Sequence, residues 1–288
     1  MAYGFPLPAL TCLPAAVVAW PPAAALAQTP AWLMLPPLAA VALAGWLGAC
    51  FGSFSNVLIY RLPRDLSIVG PRSFCPACRT TVHWYDNIPL ASWLLLRGRC
   101  RHCGAAIPAR YVLVEALGAG CALLALVWFG WTVAGLAAAV YLLLLLNVAI
   151  IDWQHMIIPH TLTVTGMVTG LLFAFFRPPA VPEALLGLAV GGGAILAVSW
   201  GYRLLRGVVG MGGGDVMLMA MVGAYQGPWA VLAVIFGGAL GGTLYAVAVG
   251  RGRVTGAAKL PFGTFLAVAA AVVLLWGDAL GRWYLSRF

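Results

Sequence analysis

The chain has 288 residues, of which 63% are hydrophobic and 8% are charged, and its mean hydropathy is +0.99. A soluble domain carries about a quarter charged residues, so this composition excludes an ordinary soluble protein and indicates an integral membrane protein. The net charge of +9 is explained by basic loops that face anionic lipid. We therefore expect the protein to bind membrane lipid and not nucleic acid.

The apolar segments predict an all-α polytopic membrane protein with about eight transmembrane helices. A helix needs about 20 apolar residues to cross the hydrocarbon layer. The predicted spans are 36–59, 112–130, 133–151, 161–176, 184–205, 215–226, 228–249 and 262–281. The sixth span is short and ends at the sequence Gln226-Gly227-Pro228, and such breaks are typical of functional backbone at membrane depth.

Basic residues orient these spans. Eight of the 16 basic residues lie between Arg61 and Arg110, so this segment is predicted to be cytoplasmic. Alternation then places Asp152 to His160, Arg206 to Asp215 and Arg251 to Lys259 on the same face. The predicted domains are an extracytoplasmic tail (1–35), a first transmembrane helix (36–60), a cytoplasmic cysteine domain (61–111) and a second membrane domain (112–288).

Two Cys-x-x-Cys motifs lie in the predicted cytoplasmic domain. They are CPAC (75–78) and CRHC (100–103), and their spacing is typical of a zinc site. Four thiolates from Cys75, Cys78, Cys100 and Cys103 would complete a tetrahedron and leave no open position, so the zinc would be structural. Redox-active pairs are the alternative, whereas structural disulfides are disfavoured in a reducing compartment.

Two of the seven acidic residues are predicted to lie at the cytoplasmic membrane edge. Asp152 ends the third span and Asp215 begins the sixth, so the two can face each other. Two carboxyl groups in one site share a proton, and such a pair can activate water and protonate a carbonyl or a leaving amine. An ion or proton pathway, or a helix cap at Asp215, remains an alternative.

Three glycines, Gly212, Gly213 and Gly214, precede Asp215. Because glycine has no Cβ atom, a substrate backbone can approach the carboxyl group closely, and these residues are candidates for substrate binding. A hinge or a helix-packing surface is the competing interpretation.

An ordered series of motifs resembles the bacterial type IV prepilin peptidases, the leader peptidase/N-methyltransferase family. The resemblance covers roughly residues 45–268. Its motifs, besides the two cysteine pairs, are GSFSNVLIYRLP (52–63), NIPLASWLLLRGRC (87–100), ARYVLVEAL (109–117), IDWQHMIIP (151–159), GMGGGD (210–215) and LPFGTFLA (260–267).

The resemblance implies that Asp152 and Asp215 are the catalytic aspartates and that the four cysteines are the zinc-associated set. It implies cleavage of a basic leader from prepilins and pseudopilins at the cytoplasmic face of the bacterial inner membrane. It also implies N-methylation of the new terminus with S-adenosylmethionine. Independently of the resemblance, Glu115 is a candidate for substrate binding, because a carboxylate near the membrane edge could pair with the new amine. The alternatives are a transporter that uses the two aspartates for ions or protons, and a membrane thiol oxidoreductase.

Overall fold

The computed structural model describes residues 37–207, 211–250 and 260–287. The helices are α1 (Pro37–Arg61), α2 (Ala91–Leu95), α3 (Arg110–Phe129), α4 (Val133–His155), α5 (His160–Phe173), α6 (Val181–Arg206), α7 (Gly213–Gly250) and α8 (Phe262–Leu285). Among these residues no β-strand forms, which confirms the all-α class. The predicted tail (1–35) and the basic residues from Arg251 to Lys259 lie outside the described ranges.

Six of the described helices are long and apolar enough to cross a membrane: α1, α3, α4, α6, α7 and α8. Helix α5 is apolar but has 14 residues, so it rises only about 21 Å against a hydrocarbon layer of about 30 Å. The predicted segments 215–226 and 228–249 lie in the continuous element α7, which is one candidate span, and the first segment is shorter than α5. For these two reasons the predicted count of about eight spans is not confirmed.

Small residues allow α1 and α3 to pack closely side by side. A Cβ atom on Gly48 would lie 2.6 Å from the carbonyl oxygen of Gly118, and one on Gly52 would lie 2.7 Å from Cα of Glu115. The two helices run antiparallel, because Gly45 lies beside Leu123 while Gly52 lies beside Glu115. The end of α1 and the start of α3 therefore lie together, and the cysteine-bearing segment connects them.

Helix α7 is interrupted at Gly227, whose φ of 79° and ψ of 177° are not helical. This conformation is open to glycine and strained for other residues. Pro228 follows and supplies no backbone N–H to the helical ladder. The break predicted from the sequence is present, and it divides α7 into two legs, 213–226 and 228–250.

The two legs of α7 run in opposite directions. A Cβ atom on Gly214, near the start of α7, would lie 2.9 Å from Cβ of Ile158, and one on Gly263 would lie 2.6 Å from Cδ1 of the same Ile158. Near the far end of α7, a Cβ atom on Gly242 would lie 4.0 Å from the ring of Phe262. Because Phe262 and Gly263 adjoin at the start of α8, both ends of α7 lie at one end of the bundle.

A buried polar cluster holds the reversal of α7. The rings of Tyr141 and Tyr225 stack with centroids 4.2 Å apart. Nε2 of Gln226 donates to the Tyr141 hydroxyl at 3.0 Å and to the Ala270 carbonyl at 2.9 Å. The Arg177 guanidinium donates to the Tyr225 carbonyl at 3.2 Å, a group that the interrupted ladder leaves available. This cluster ties α4, the first leg of α7 and α8 together.

The connecting segments meet at one end of the bundle, which we call the loop rim. At the loop rim α1 ends at Arg61, α3 begins at Arg110, α4 ends at His155 and α7 begins at Gly213. Residues from the ends of α1, α3 and α4 line a common cavity there. The cysteine segment and both predicted catalytic aspartates therefore lie at the same end of the molecule.

Candidate functional site

Asp152 lies in the last turn of α4 and is 5% exposed. Its Oδ2 atom accepts a hydrogen bond from the backbone N–H of Thr264 at 2.7 Å and one from the Thr264 hydroxyl at 3.1 Å. The same hydroxyl lies 3.0 Å from the carbonyl oxygen of Ala149, so its single proton serves one acceptor at a time. Because Thr264 is in the first turn of α8, the N-terminus of that helix faces the Asp152 carboxyl group.

Asp215 lies in the first turn of α7 and is half-buried. Its Oδ2 atom accepts a hydrogen bond from the backbone N–H of Gly212 at 3.1 Å, and its own N–H donates to the Gly212 carbonyl at 3.2 Å. This reciprocal pair closes a tight turn ahead of the helix. The turn fixes the carboxyl group at the loop rim.

The loop between α4 and α5 joins the surroundings of the two aspartates. Ile158 packs against Gly214, the neighbour of Asp215, and against Gly263, whose Cβ atom would lie 3.1 Å from the Asp152 carboxyl group. Ile158 therefore lies between the backbone next to Asp215 and the backbone next to the Asp152 carboxyl group. The structure thus brings these two predicted residues together at one rim.

The three glycines before Asp215 have different surroundings. A Cβ atom on Gly212 would meet the Asp215 carboxyl group at an ordinary 3.7 Å, and one on Gly214 would press against Ile158 at 2.9 Å. Gly213 has no described atom within 4 Å of a built Cβ. Among the described residues, open space therefore lies beside Gly213, whereas Gly214 is needed for close packing.

Glu115 has a hydrogen-bond partner in the cysteine segment. Its Oε2 atom accepts the backbone N–H of Leu90 at 2.8 Å, and its backbone packs against Gly52 of α1. Leu90 has a φ of 63°, which is unusual for a leucine, and it precedes the short helix α2. Glu115 therefore anchors this segment to α3, and its predicted contact with a substrate amine stays a prediction.

The four cysteines form one cluster in which all Sγ atoms lie within 4.8 Å of one another. The Sγ atoms of Cys75 and Cys103 are 3.8 Å apart, which matches the edge of about 3.8 Å of a tetrahedron with Zn–S bonds of about 2.3 Å. One four-sulfur cluster fits a single zinc ion better than two separate redox pairs. Cys75, Cys78, Cys100 and Cys103 are therefore the residues that can hold the metal.

The two cysteine motifs share one backbone geometry. In the first, the N–H of Arg79 donates to the Cys75 carbonyl at 2.8 Å, and in the second the N–H of Gly104 donates to the Cys100 carbonyl at 2.9 Å. Arg79 and Gly104 both have positive φ. A hydrogen bond with Thr80 lowers the pKa of the Cys78 thiol to about 6, whereas burial and hydrogen bonds to the other three thiols raise the pKa of the Cys103 thiol to about 11.

Thr264, Gly263 and Ile158 complete the surroundings of the aspartates, although none was predicted as a site residue. Thr264 and Gly263 lie in the LPFGTFLA motif, and that motif was the available signal. The hydrogen bond from Thr264 to Asp152 spans 112 residues of sequence. Hydropathy and spacing do not specify a contact between such distant segments.

Two cavities border α1. The larger, of about 1040 Å³, is a mostly apolar groove along α1, α3, α4 and α5 that extends from Leu62 at the loop rim to Trp131 at the opposite end, and neither aspartate lines it. The smaller, of about 220 Å³, is lined by Asn56, Ile59, Tyr60, Arg64, Arg110, Tyr111, Val114, Ile150, Gln154 and His155. The smaller cavity borders the end of α4, close in sequence to Asp152.

Together the helices, the cysteine cluster and the neighbouring carboxyl groups define a polytopic all-α membrane protein with an acidic pair at one rim. Comparison with known families gives two consecutive matches. Residues 46–129 match the Bacterial Peptidase A24 N-terminal domain, and residues 139–247 match the Type IV leader peptidase family. The chain belongs to the prepilin leader peptidase family.

Curated relatives agree with this assignment. The chain is 37% identical over 265 residues to the prepilin leader peptidase/N-methyltransferase of Aeromonas salmonicida (strain A449), covering 82% of this chain and 90% of the relative. The Stutzerimonas stutzeri protein of the same name is 36% identical over 283 residues, covering 87% and 95%. That of Myxococcus xanthus (strain DK1622) is 44% identical over 211 residues, covering 71% of this chain but only 63% of the relative. No solved structure matches the chain.

Proposed function

We propose that this protein is a prepilin leader peptidase in which Asp152 and Asp215 act as one catalytic pair with water. The observation that supports the proposal is that the surroundings of both aspartates share Ile158 at the loop rim, in a chain of this family. The apolar helix of a substrate would lie in the lipid, and the basic leader that precedes it would lie outside the lipid. The cleavage site between the leader and the helix would then lie at this rim. We place the rim at the cytoplasmic face of the inner membrane, because the basic segment from Arg61 to Arg110 adjoins it.

We infer different roles for the two aspartates from their hydrogen bonds. Asp152 accepts the Thr264 N–H at the N-terminus of α8 and shares the Thr264 hydroxyl with the Ala149 carbonyl, and such donors stabilise a negative charge. Asp152 is therefore assigned as the base that removes a proton from water. Asp215 accepts one described N–H and is assigned as the acid, which holds the proton that the pair shares.

The proposed reaction follows from these roles. Water loses a proton to Asp152 and its oxygen bonds to the scissile carbonyl carbon, while Asp215 protonates the carbonyl oxygen. The tetrahedral intermediate then returns that proton to Asp215, the C–N bond breaks, and the leaving amine takes the proton held by Asp152. Both carboxyl groups return to their starting states.

The second proposed activity is N-methylation of the new terminus with S-adenosylmethionine. The names of the relatives and the presence of the cysteine domain support it. A zinc ion bound by all four thiolates would have no open position, so it would hold the domain together rather than take part in the reaction. Glu115 would support the domain from α3 through Leu90.

The test uses the purified full-length protein and a prepilin, with product masses read with and without S-adenosylmethionine. We expect Asp152→Asn and Asp215→Asn each to lower the cleavage rate at least about a hundredfold, and Asp278→Asn to cleave like wild type because Asp278 lies near the opposite end of α8. Full cleavage by either of the first two variants would refute the peptidase assignment. In that case proton or ion flux in liposomes becomes the measurement that tests the transporter alternative.

A further inference from the structure

The small cavity at the loop rim has a basic lining. Arg64, Arg110 and His155 contribute to its wall, and no acidic residue does. Ile59 and Val114 form a buried apolar floor. A pocket with an apolar floor and cationic walls is suited to a ligand that carries an anionic group.

Neither cavity arginine is ion-paired within the described part of the chain. All seven acidic residues of the sequence lie in that part, yet the ion pair found there is Asp86 with Arg101. An arginine that faces a cavity without a carboxylate partner retains its capacity for charge-assisted hydrogen bonds. Both arginines are exposed, so each guanidinium group is accessible to an anion supplied from outside the chain.

Aromatic rings hold both guanidinium groups in place. The Arg64 guanidinium lies 4.4 Å from the centre of the Tyr60 ring and donates to the Tyr60 carbonyl at 2.7 Å. The Arg110 guanidinium lies 5.1 Å from the centre of the Tyr111 ring. Stacking of this kind positions a guanidinium while leaving most of its N–H donors available.

The walls of the cavity are fixed to one another. Nδ2 of Asn56 on α1 donates to the Tyr111 carbonyl on α3 at 3.1 Å, so the two arginine-bearing helix ends keep their relative position. The third wall, Gln154 and His155, lies two and three residues after Asp152 on α4. An occupant of the cavity would therefore lie at the same end of α4 as Asp152, although neither aspartate lines the cavity.

We propose that this cavity binds the carboxylate or phosphate group of a small molecule at the loop rim. Its volume of about 220 Å³ is below the range of about 300–1000 Å³ usual for a complete ligand site, so it holds the anionic end and not a whole cofactor. The two sources are the carboxylate of S-adenosylmethionine and the phosphate of an anionic lipid. The first source rests on the proposed methyltransferase function, and the second does not.

The experiment compares Arg64→Gln/Arg110→Gln with wild type in nanodiscs. Binding of S-adenosylmethionine is measured in phosphatidylcholine nanodiscs, and retention of phosphatidylglycerol is measured by native mass spectrometry. The double variant lacks two charge-assisted hydrogen bonds to the anion. We therefore expect it to bind S-adenosylmethionine or phosphatidylglycerol about tenfold more weakly than wild type, or weaker still. Weaker binding of the methyl donor identifies the carboxylate source, and weaker lipid retention identifies the phosphate source.

Two further variants keep the test decisive. Arg72→Gln is the matched control, because Arg72 belongs to the same basic segment but does not line the cavity. Gln154→Glu places a negative charge in the wall from α4 and should produce the same loss without touching either arginine. Unchanged affinity for both probes in all variants overturns the proposal. Prepilin cleavage is measured in parallel, so that failure of the peptidase assignment is seen separately.

Discussion

Thr264 is the residue that connects α8 to the chemistry proposed for Asp152. Its N–H and hydroxyl reach the same carboxylate oxygen, so the side chain and the backbone contribute separately. Thr264→Val removes the hydroxyl and keeps the N–H. We expect kcat for prepilin cleavage to fall about tenfold, since a hydrogen bond to a charged group contributes about 1.5–3 kcal/mol.

Thr264→Ser is the matched control, because it restores the hydroxyl with a smaller side chain. Steady-state cleavage of a prepilin peptide by the three proteins provides the measurement. A serine variant as slow as the valine variant would show that packing at this position matters rather than the hydrogen bond.

Gly213 and Gly214 provide a matched pair at the start of α7. Gly214→Ala should lower the thermal stability, because the new methyl group would press against Ile158. Gly213→Ala should leave the stability unchanged and raise KM, if substrate occupies the open space beside Gly213. Thermal unfolding in detergent and cleavage kinetics separate the two effects. Equal KM values for Gly213→Ala and wild type would remove Gly213 from the substrate site.

The reversal of α7 determines where its first leg places Asp215. The sequence Gln226-Gly227-Pro228 allowed the break to be predicted, because proline and glycine act on the backbone locally. The contacts that hold it, from Tyr141, Arg177 and Ala270, come from three other segments. No local pattern specifies such contacts, so the break was predictable and its polar cluster was not.

Gly227→Ala tests this element. A Cβ atom at φ 79° is strained, and we expect a loss of stability of about 1–3 kcal/mol together with slower cleavage. Gly201→Ala is the control, since Gly201 is helical in α6 and has no described atom within 4 Å of a built Cβ. Wild-type unfolding temperature in the Gly227 variant would show that the reversal does not depend on this conformation.

The whole molecule combines a membrane bundle with a cysteine domain at the same rim. The motif spacing was enough to predict four cysteines around one metal, because two short turns bring each pair together by local geometry. The count of about eight spans was not confirmed, because hydropathy does not distinguish a spanning helix from the short α5 or from a leg of α7. Glu115 illustrates the same limit, since its partner Leu90 was not predicted.

Removal of a zinc ligand tests the cysteine domain. We expect about one zinc per chain in the wild-type protein and loss of most of it in Cys103→Ser. Methylation should fall more than cleavage, because the cysteine domain is separate from the aspartates. Cys121→Ser, in α3 and outside the cluster, is the control for both readouts. Equal zinc contents in the two variants, measured by elemental mass spectrometry, would exclude the proposed metal site.

The central claim is that two carboxyl groups from distant parts of the chain act as one unit. The most direct measurement is the cleavage rate of Asp152→Asn, Asp215→Asn and the double variant under identical conditions. Groups that act together are strongly non-additive, so we predict that the double variant is no slower than the slower single variant. Rate losses that multiply in the double variant would contradict the account, as would full activity after either single change.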